Sequence, residues 1–325
     1  MGTVLINRKA RSRFSLIALI HVMIVVMMNT VGFLISYFLS KFSLWDHEYL
    51  VSILSLAPIY LTGFPLALFF FGMMDSDKLP ERKIPFGRLV QIFLICLPVM
   101  IGGSIIGNFL SVFLSNGVSS NPVEEALTDM SWIDALSVVV IGPVVEEVLC
   151  RKMIIDHSVR YGEKTTLLFS ALCFGLLHRN LYQFFYAFGL GLIFGYVYLR
   201  SGRLRYTIAL HIFFNFMGGI IAPAVLRLLD YDALMEAKRA GDTAAMAELL
   251  SANSLGTGIA YGYMMAMGIG VLAGIAFLIL RRKDIRFYRL PEELPRGTVI
   301  CTAYLNVGMV MLTGICAVLM TLELI

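Results

Sequence analysis

The chain has 325 residues, of which 58% are hydrophobic and 15% charged, with a mean hydropathy of +0.81 and a net charge of +4. An average soluble domain is about 45–50% apolar and about 25% charged. A single soluble core, a disordered chain, a collagen and a coiled coil are therefore excluded, because the apolar residues come in long unbroken blocks. The class is an all-α polytopic transmembrane helix bundle, a single membrane domain over 1–325.

A bilayer core about 30 Å thick takes about 20 apolar residues per spanning helix. Nine such blocks follow one another, at 16–39, 49–74, 88–114, 132–155, 165–180, 182–200, 204–229, 257–280 and 299–323. The first is too long for the apolar region of a signal peptide and reads as a retained span. The fifth barely reaches across, so eight spans are the alternative. Between the third and fourth lies an acidic loop, 116–131. The segment 230–254 is rich in Ala, Met, Glu and Leu and predicts one or two short amphipathic helices at the surface. Cys96, Cys150, Cys173, Cys301 and Cys316 all fall in apolar stretches without a CxxC pair, so they read as small buried hydrophobes. Gly103/Gly107, Gly191/Gly195 and Gly270/Gly274 have the four-residue spacing that lets helices approach closely.

With the N-terminus in the cytoplasm, every inside segment is basic. All of the 26 Lys and Arg fall inside except Lys41, Arg179, Arg227, Lys238 and Arg239. This follows the positive-inside rule and gives a cytoplasmic N-terminus. Charge clustered in short loops is a topology signal and not a nucleic-acid patch, so no nucleic-acid partner is expected; membrane lipids are.

Ionisable groups inside a span are costly and point to function. The fourth block reads WIDALSVVVIGPVVEEVLCRKMII, with Glu146 and Glu147 adjacent inside the apolar run. The i,i+4 spacing of Glu147 and Arg151, acid first, lets them pair. Glu146 points to another side of the helix and lacks that partner, which suits a general base. Taking Arg151 as the inner end puts the pair about 8 Å from it. Pro143 removes the hydrogen bond to the carbonyl of Val139 and predicts a kink beside the pair. The fifth block carries Phe174 and His178 at i,i+4, and the seventh carries His211 and Asn215 at the same spacing. Each His taken alone is more often a packing residue; their occurrence with a buried Glu pair in neighbouring spans raises the functional reading.

The set Glu146-Glu147-x-x-x-Arg151, Phe174-x-x-x-His178 and His211-x-x-x-Asn215 resembles the CAAX protease and bacteriocin-processing family (CPBP, also called Abi) of intramembrane proteases. The resemblance covers about 130–220, the core catalytic bundle. It implies an intramembrane endopeptidase that hydrolyses a peptide bond of a membrane-associated peptide or protein near the cytoplasmic face. Glu146 would activate water with His178 helping to position it, Glu147 and Arg151 would hold Glu146 in place, and His211 and Asn215 would donate to the oxyanion. Glu146, His178 and His211 could instead hold a divalent metal such as zinc. No HExxH is present, and Asn215 favours the oxyanion role, so no obligatory cofactor is expected. A non-catalytic scaffold, such as a sensor-kinase partner or bacteriocin immunity factor, is the competing reading, and a transporter a more distant one. The compact chain suggests a bacterial cell membrane.

Overall fold

The computed structural model describes residues 2–119, 121, 130–229 and 231–325. Every regular element among them is helical. In chain order the helices are α1 (Gly2–Lys41), α2 (Glu48–Gly72), α3 (Phe86–Leu114), α4 (132–158), α5 (Glu163–Leu177) and α6 (Leu181–Ser201). There follow α7 (Leu204–Arg227), α8 (Tyr231–Ala240), α9 (Thr243–Ala252), α10 (Ser254–Arg281), α11 (Arg296–Tyr304) and α12 (Val307–Leu322). The sequence marks several of the ends. Ser131 caps α4 by accepting from the Asp134 amide, Asn180 caps α6 by accepting from Gln183, and Asn306 caps α12 by accepting from Met309. Gly202, at φ 61°, closes α6 in the left-handed conformation that glycine takes without strain.

Among the described residues six helices are long and apolar enough to cross a membrane: α1, α2, α3, α6, α7 and α10. The ninth expected block is a pair, α11 and α12, bent by 59° where Asn306 starts a new helix, and it counts as a seventh span if taken as one. The other two of the nine expected blocks carry the first two polar motifs. Helix α4 runs unbroken over 132–158, long enough to span, but Asp134, Glu146, Glu147, Arg151 and Lys152 interrupt its apolarity. Helix α5 has 15 residues, about 22 Å, less than the hydrocarbon thickness. The segment after α7 forms two short helices, α8 and α9, as its composition suggests; Asp230 lies outside the described residues.

The loops separate into two ends of the bundle as their charge anticipates. At one end Arg13 faces Asp75 (3.9 Å), the Asp77 amide donates to the carbonyl of Asp156 (2.6 Å), and Arg160 pairs with Asp77 (2.7 Å). There too Arg203 meets Glu81 (3.0 Å), Arg88 meets Asp284 (3.0 Å), and the Leu294 amide donates to Tyr161 (3.1 Å). Every segment read as inside therefore meets at one end. At the other, Ser52 donates to Asp134 (2.8 Å), Tyr182 to the carbonyl of Ser119 (2.9 Å), and Asn253 to that of Leu228 (2.8 Å). Most of the acidic 116–131 loop, residues 120 and 122–129, lies outside the described residues.

Helix α3 packs on α6 and α10, α6 on α5, and α1 on α12. The glycine spacing works as expected where α3 crosses α6: a Cβ on Gly103 would sit 2.5 Å from the backbone of Tyr186, and one on Gly107 2.7 Å from the carbonyl of Tyr182. Large apolar side chains such as Phe109 and Leu272 point outward on α3 and α10, as a lipid-facing surface requires. The main buried cluster joins α1, α2, α4, α5 and α12 around Phe14, Phe71, Leu149 and Phe174. The motif helix α4 thus runs through the middle of the bundle.

Candidate active site

Helix α4 is not a uniform α-helix. Two wide turns with i→i+5 bonding, Ser137–Ile141 and Val148–Met153, flank the α-helical segment Gly142–Glu147 that carries the Glu pair. Such bulges are rare and often lie at functional sites. The first has a traceable cause. In its wide register the Gly142 amide donates to the carbonyl of Ser137. The next bond would run from residue 143 to Val138, but Pro143 has no N–H. The amide Nδ2 of Asn215 on α7 donates to the carbonyl of Val138 instead, at 2.8 Å. The carbonyl freed by Pro143 is therefore that of Val138 and not, as an α-helical register predicts, that of Val139.

Glu147 is fully buried and fixed from two sides. Its Oε1 lies 3.1 Å from Nη2 of Arg151, also 0% exposed, and 3.1 Å from Nδ1 of His211. The guanidinium carbon of Arg151 stands 4.3 Å over the ring of Phe174, and both His178 and His211 meet that ring edge-on, at 5.0 and 5.6 Å. Arg151 is thus no snorkelling residue at a helix end. The chain continues as helix to 158, which puts Glu146 about 18 Å from the basic end of α4 and about 21 Å from the other. Within α4 the pair therefore sits near mid-helix, still about 8 Å from Arg151.

Glu146 behaves differently from its neighbour. Its side chain is 37% exposed and lines a cavity of about 360 Å³ that also takes in Tyr60, Ser137, His178, Gln183 and His211. Asn215 is in the same wall. The nearest cationic candidate is Nε2 of His211, 3.6 Å from Glu146 Oε2, too long for a hydrogen bond. His178 is the residue that follows the last turn of α5, and its Nδ1 bonds the carbonyl of Phe174 at 2.9 Å. A carbonyl only accepts, so Nδ1 donates and Nε2 is left as an acceptor. By the same reasoning Nδ1 of His211 donates to the Glu147 carboxylate. The cavity extends from Glu146 toward the Lys/Arg-poor end, where Ser137, Arg179 and Gln183 complete its lining.

All six residues singled out from the sequence, Glu146, Glu147, Arg151, His178, His211 and Asn215, therefore come together. Tyr60 and Ser137 belong to the site without having been singled out for it. Pro58 inside an apolar run was the available signal for Tyr60: it opens a second wide turn, Pro58–Gly63, in α2. Among the described residues no group of three or more His, Cys, Asp or Glu is placed to hold an ion; the Nδ1 bonds of His178 and His211 leave the Nε2 of each free, the orientation that a metal-ligating imidazole also takes.

The fold and the site together define a polytopic helical membrane protein with a buried Glu–Arg clamp beside an open carboxylate. Residues 128–217 match the family model of the Rce1-like type II CAAX prenyl endopeptidases. This is the CAAX protease group that the three motifs resemble, and it supports a membrane endopeptidase in general. No curated protein and no solved structure matches the chain.

Proposed function

We propose that the protein is an intramembrane endopeptidase that hydrolyses a peptide bond of a membrane-associated peptide or protein, with Glu146 as the base that activates water. The observation that carries this reading is the asymmetry of the adjacent carboxylates: Glu147 is sealed at 0% exposure against Arg151, while Glu146 faces the cavity. A water molecule donating one hydrogen to Glu146 and the other to Nε2 of His178 presents its lone pair to a scissile carbonyl. Glu146 takes a proton as the oxygen attacks, and that proton leaves on the departing amine. The oxyanion is met by the second N–H of Asn215 and by Nε2 of His211 when that ring carries both protons. Glu147 acts through His211, fixing its orientation. The free N–H of Asn215, which suits an oxyanion rather than a metal, favours a mechanism without an obligatory metal. Lys152, half exposed and paired with Asp156, lies less than two turns beyond Glu146 toward the basic end, which supports cleavage near the cytoplasmic face, and a bacterial cell membrane is the proposed setting.

The test compares newly formed peptide N- and C-termini in membranes of cells making wild-type protein or Glu146→Gln. A set of termini present with wild type and lost with the variant, at equal protein levels, is expected. Identical termini would overturn the reading and favour a non-catalytic scaffold.

A further inference from the structure

The residues that the motifs assign to the oxyanion are short of free donors. Asn215 Nδ2 already donates to Val138 at 2.8 Å, which leaves one N–H. His211 donates Nδ1 to Glu147 at 3.1 Å, so Nε2 donates only when the ring is doubly protonated. His178 donates Nδ1 to Phe174 at 2.9 Å and presents an acceptor to the cavity. A cavity that must stabilise a developing alkoxide with these three groups alone relies on a shared amide and a conditional imidazolium.

Tyr60 supplies what is missing. It lies on α2, outside the 128–217 segment that matches the family model, and lines the same cavity. The wide turn opened by Pro58 carries it. Its hydroxyl is 3.1 Å from the hydroxyl of Ser137, which stands in the first wide turn of α4. The two irregular turns therefore face each other across the cavity. Gly142 gives the relation to the base: a Cβ built there would be 3.7 Å from the Tyr60 hydroxyl and 3.7 Å from Glu146 Oε1. The two oxygens are thus no further apart than twice that distance, so both border the same part of the cavity. Either hydroxyl of this pair can donate, and in the arrangement where Ser137 donates the Tyr60 hydrogen is free. The other tyrosine of the cavity, Tyr186, accepts from Nε2 of Gln183 at 2.8 Å.

We propose that Tyr60 is a catalytic residue of this site, whose hydroxyl, held by Ser137, donates a hydrogen bond to the oxyanion of the tetrahedral intermediate formed when water attacks the peptide carbonyl. The step rests on the endopeptidase reading given above. Water adds to the carbonyl carbon and its proton passes to Glu146. The carbonyl π electrons move to oxygen, where Tyr60 and Asn215 hold them. Collapse then breaks the C–N bond as the amine takes the proton from Glu146. No further reactant is needed.

The experiment extends the terminal-peptide comparison to Tyr60→Phe, Ser137→Ala and Tyr182→Phe, the last removing a hydroxyl that bonds Ser119 outside the cavity. The peptide most depleted by Glu146→Gln is then used with purified proteins in nanodiscs. The expected result is a kcat lowered about 100-fold in Tyr60→Phe, within the range for loss of one oxyanion donor, with KM changed less than threefold. Ser137→Ala loses less, Tyr182→Phe stays at wild type, and all unfold at the wild-type temperature. Wild-type kcat for Tyr60→Phe, with Glu146→Gln inactive, overturns the role of Tyr60 alone. A raised KM with unchanged kcat overturns it too and makes Tyr60 a substrate-binding group. Termini identical in wild type and Glu146→Gln overturn the peptidase reading and this proposal with it. Should Tyr60→Phe unfold early, affinity for a phosphinate isostere of the cleaved peptide decides at a temperature where it is folded: a loss specific to the isostere supports the role, and equal loss for isostere and substrate overturns it.

Discussion

Changing Arg151 to Met removes the cation that faces Glu147 and keeps an apolar side chain of similar length. Both partners are 0% exposed and 3.1 Å apart. At an effective dielectric constant of about 20 the attraction at that distance is about 5 kcal/mol, and removing one partner of a buried pair costs about 3–5 kcal/mol because the other charge stays behind. Glu147 keeps His211 and Thr207 as polar contacts but no full cation, and the stacking of Arg151 on Phe174, worth about 0.5–2 kcal/mol, is lost as well. Glu147→Gln alone strands the buried guanidinium and has a similar cost. The double variant carries no stranded charge, so it is expected within about 2 kcal/mol of wild type, near the stacking loss. The assay is reversible unfolding of the purified protein in mixed micelles, for wild type, both single variants and the double variant. A coupling of at least about 3 kcal/mol is expected from this cycle. Additive single costs, or a double variant as unstable as the sum of the two, would refute the argument that the clamp is an electrostatic unit and would remove the reason for giving Glu147 an orienting role.

Two further outcomes follow from the same geometry. In a cysteine-free background, Lys78→Cys and Arg289→Cys should be labelled from one side of the membrane and Glu248→Cys from the other, since the 73–85 and 284–294 segments share the basic end; labelling of Lys78→Cys and Arg289→Cys from opposite sides would break the topology. Proteolysis should survive dialysis against a zinc chelator, because the donor set does not converge on an ion; loss on chelation and return with zinc would assign Glu146, His178 and His211 to a metal.

The helical class and the separation of the loops were legible in the sequence because apolar run length and Lys/Arg position are strong, local signals. The i,i+4 spacing also anticipated the Glu147–Arg151 pair. What local spacing could not supply was register. Treating 132–155 as a regular α-helix put the freed carbonyl at Val139, whereas the wide turn over Ser137–Ile141 moves it to Val138 and gives Asn215 its anchor. Arg151 resembled a helix end because Lys and Arg usually mark one; here it is buried against Phe174 and the helix runs on to 158. Tyr60 and Ser137 escaped notice because their meeting is a contact between helices distant in sequence.

The central claim is that Glu146 is the base for peptide-bond hydrolysis. Its most direct test is the cleavage rate of a peptide recovered from the terminal comparison, with purified wild-type protein and purified Glu146→Gln in the same nanodiscs. Glu146 is partly exposed and its contact with His211, at 3.6 Å, is too long for a hydrogen bond, so the variant should unfold as wild type does while its kcat falls by about 10²–10⁴, the usual contribution of a positioned base. Cleavage by Glu146→Gln at the wild-type rate would contradict the account.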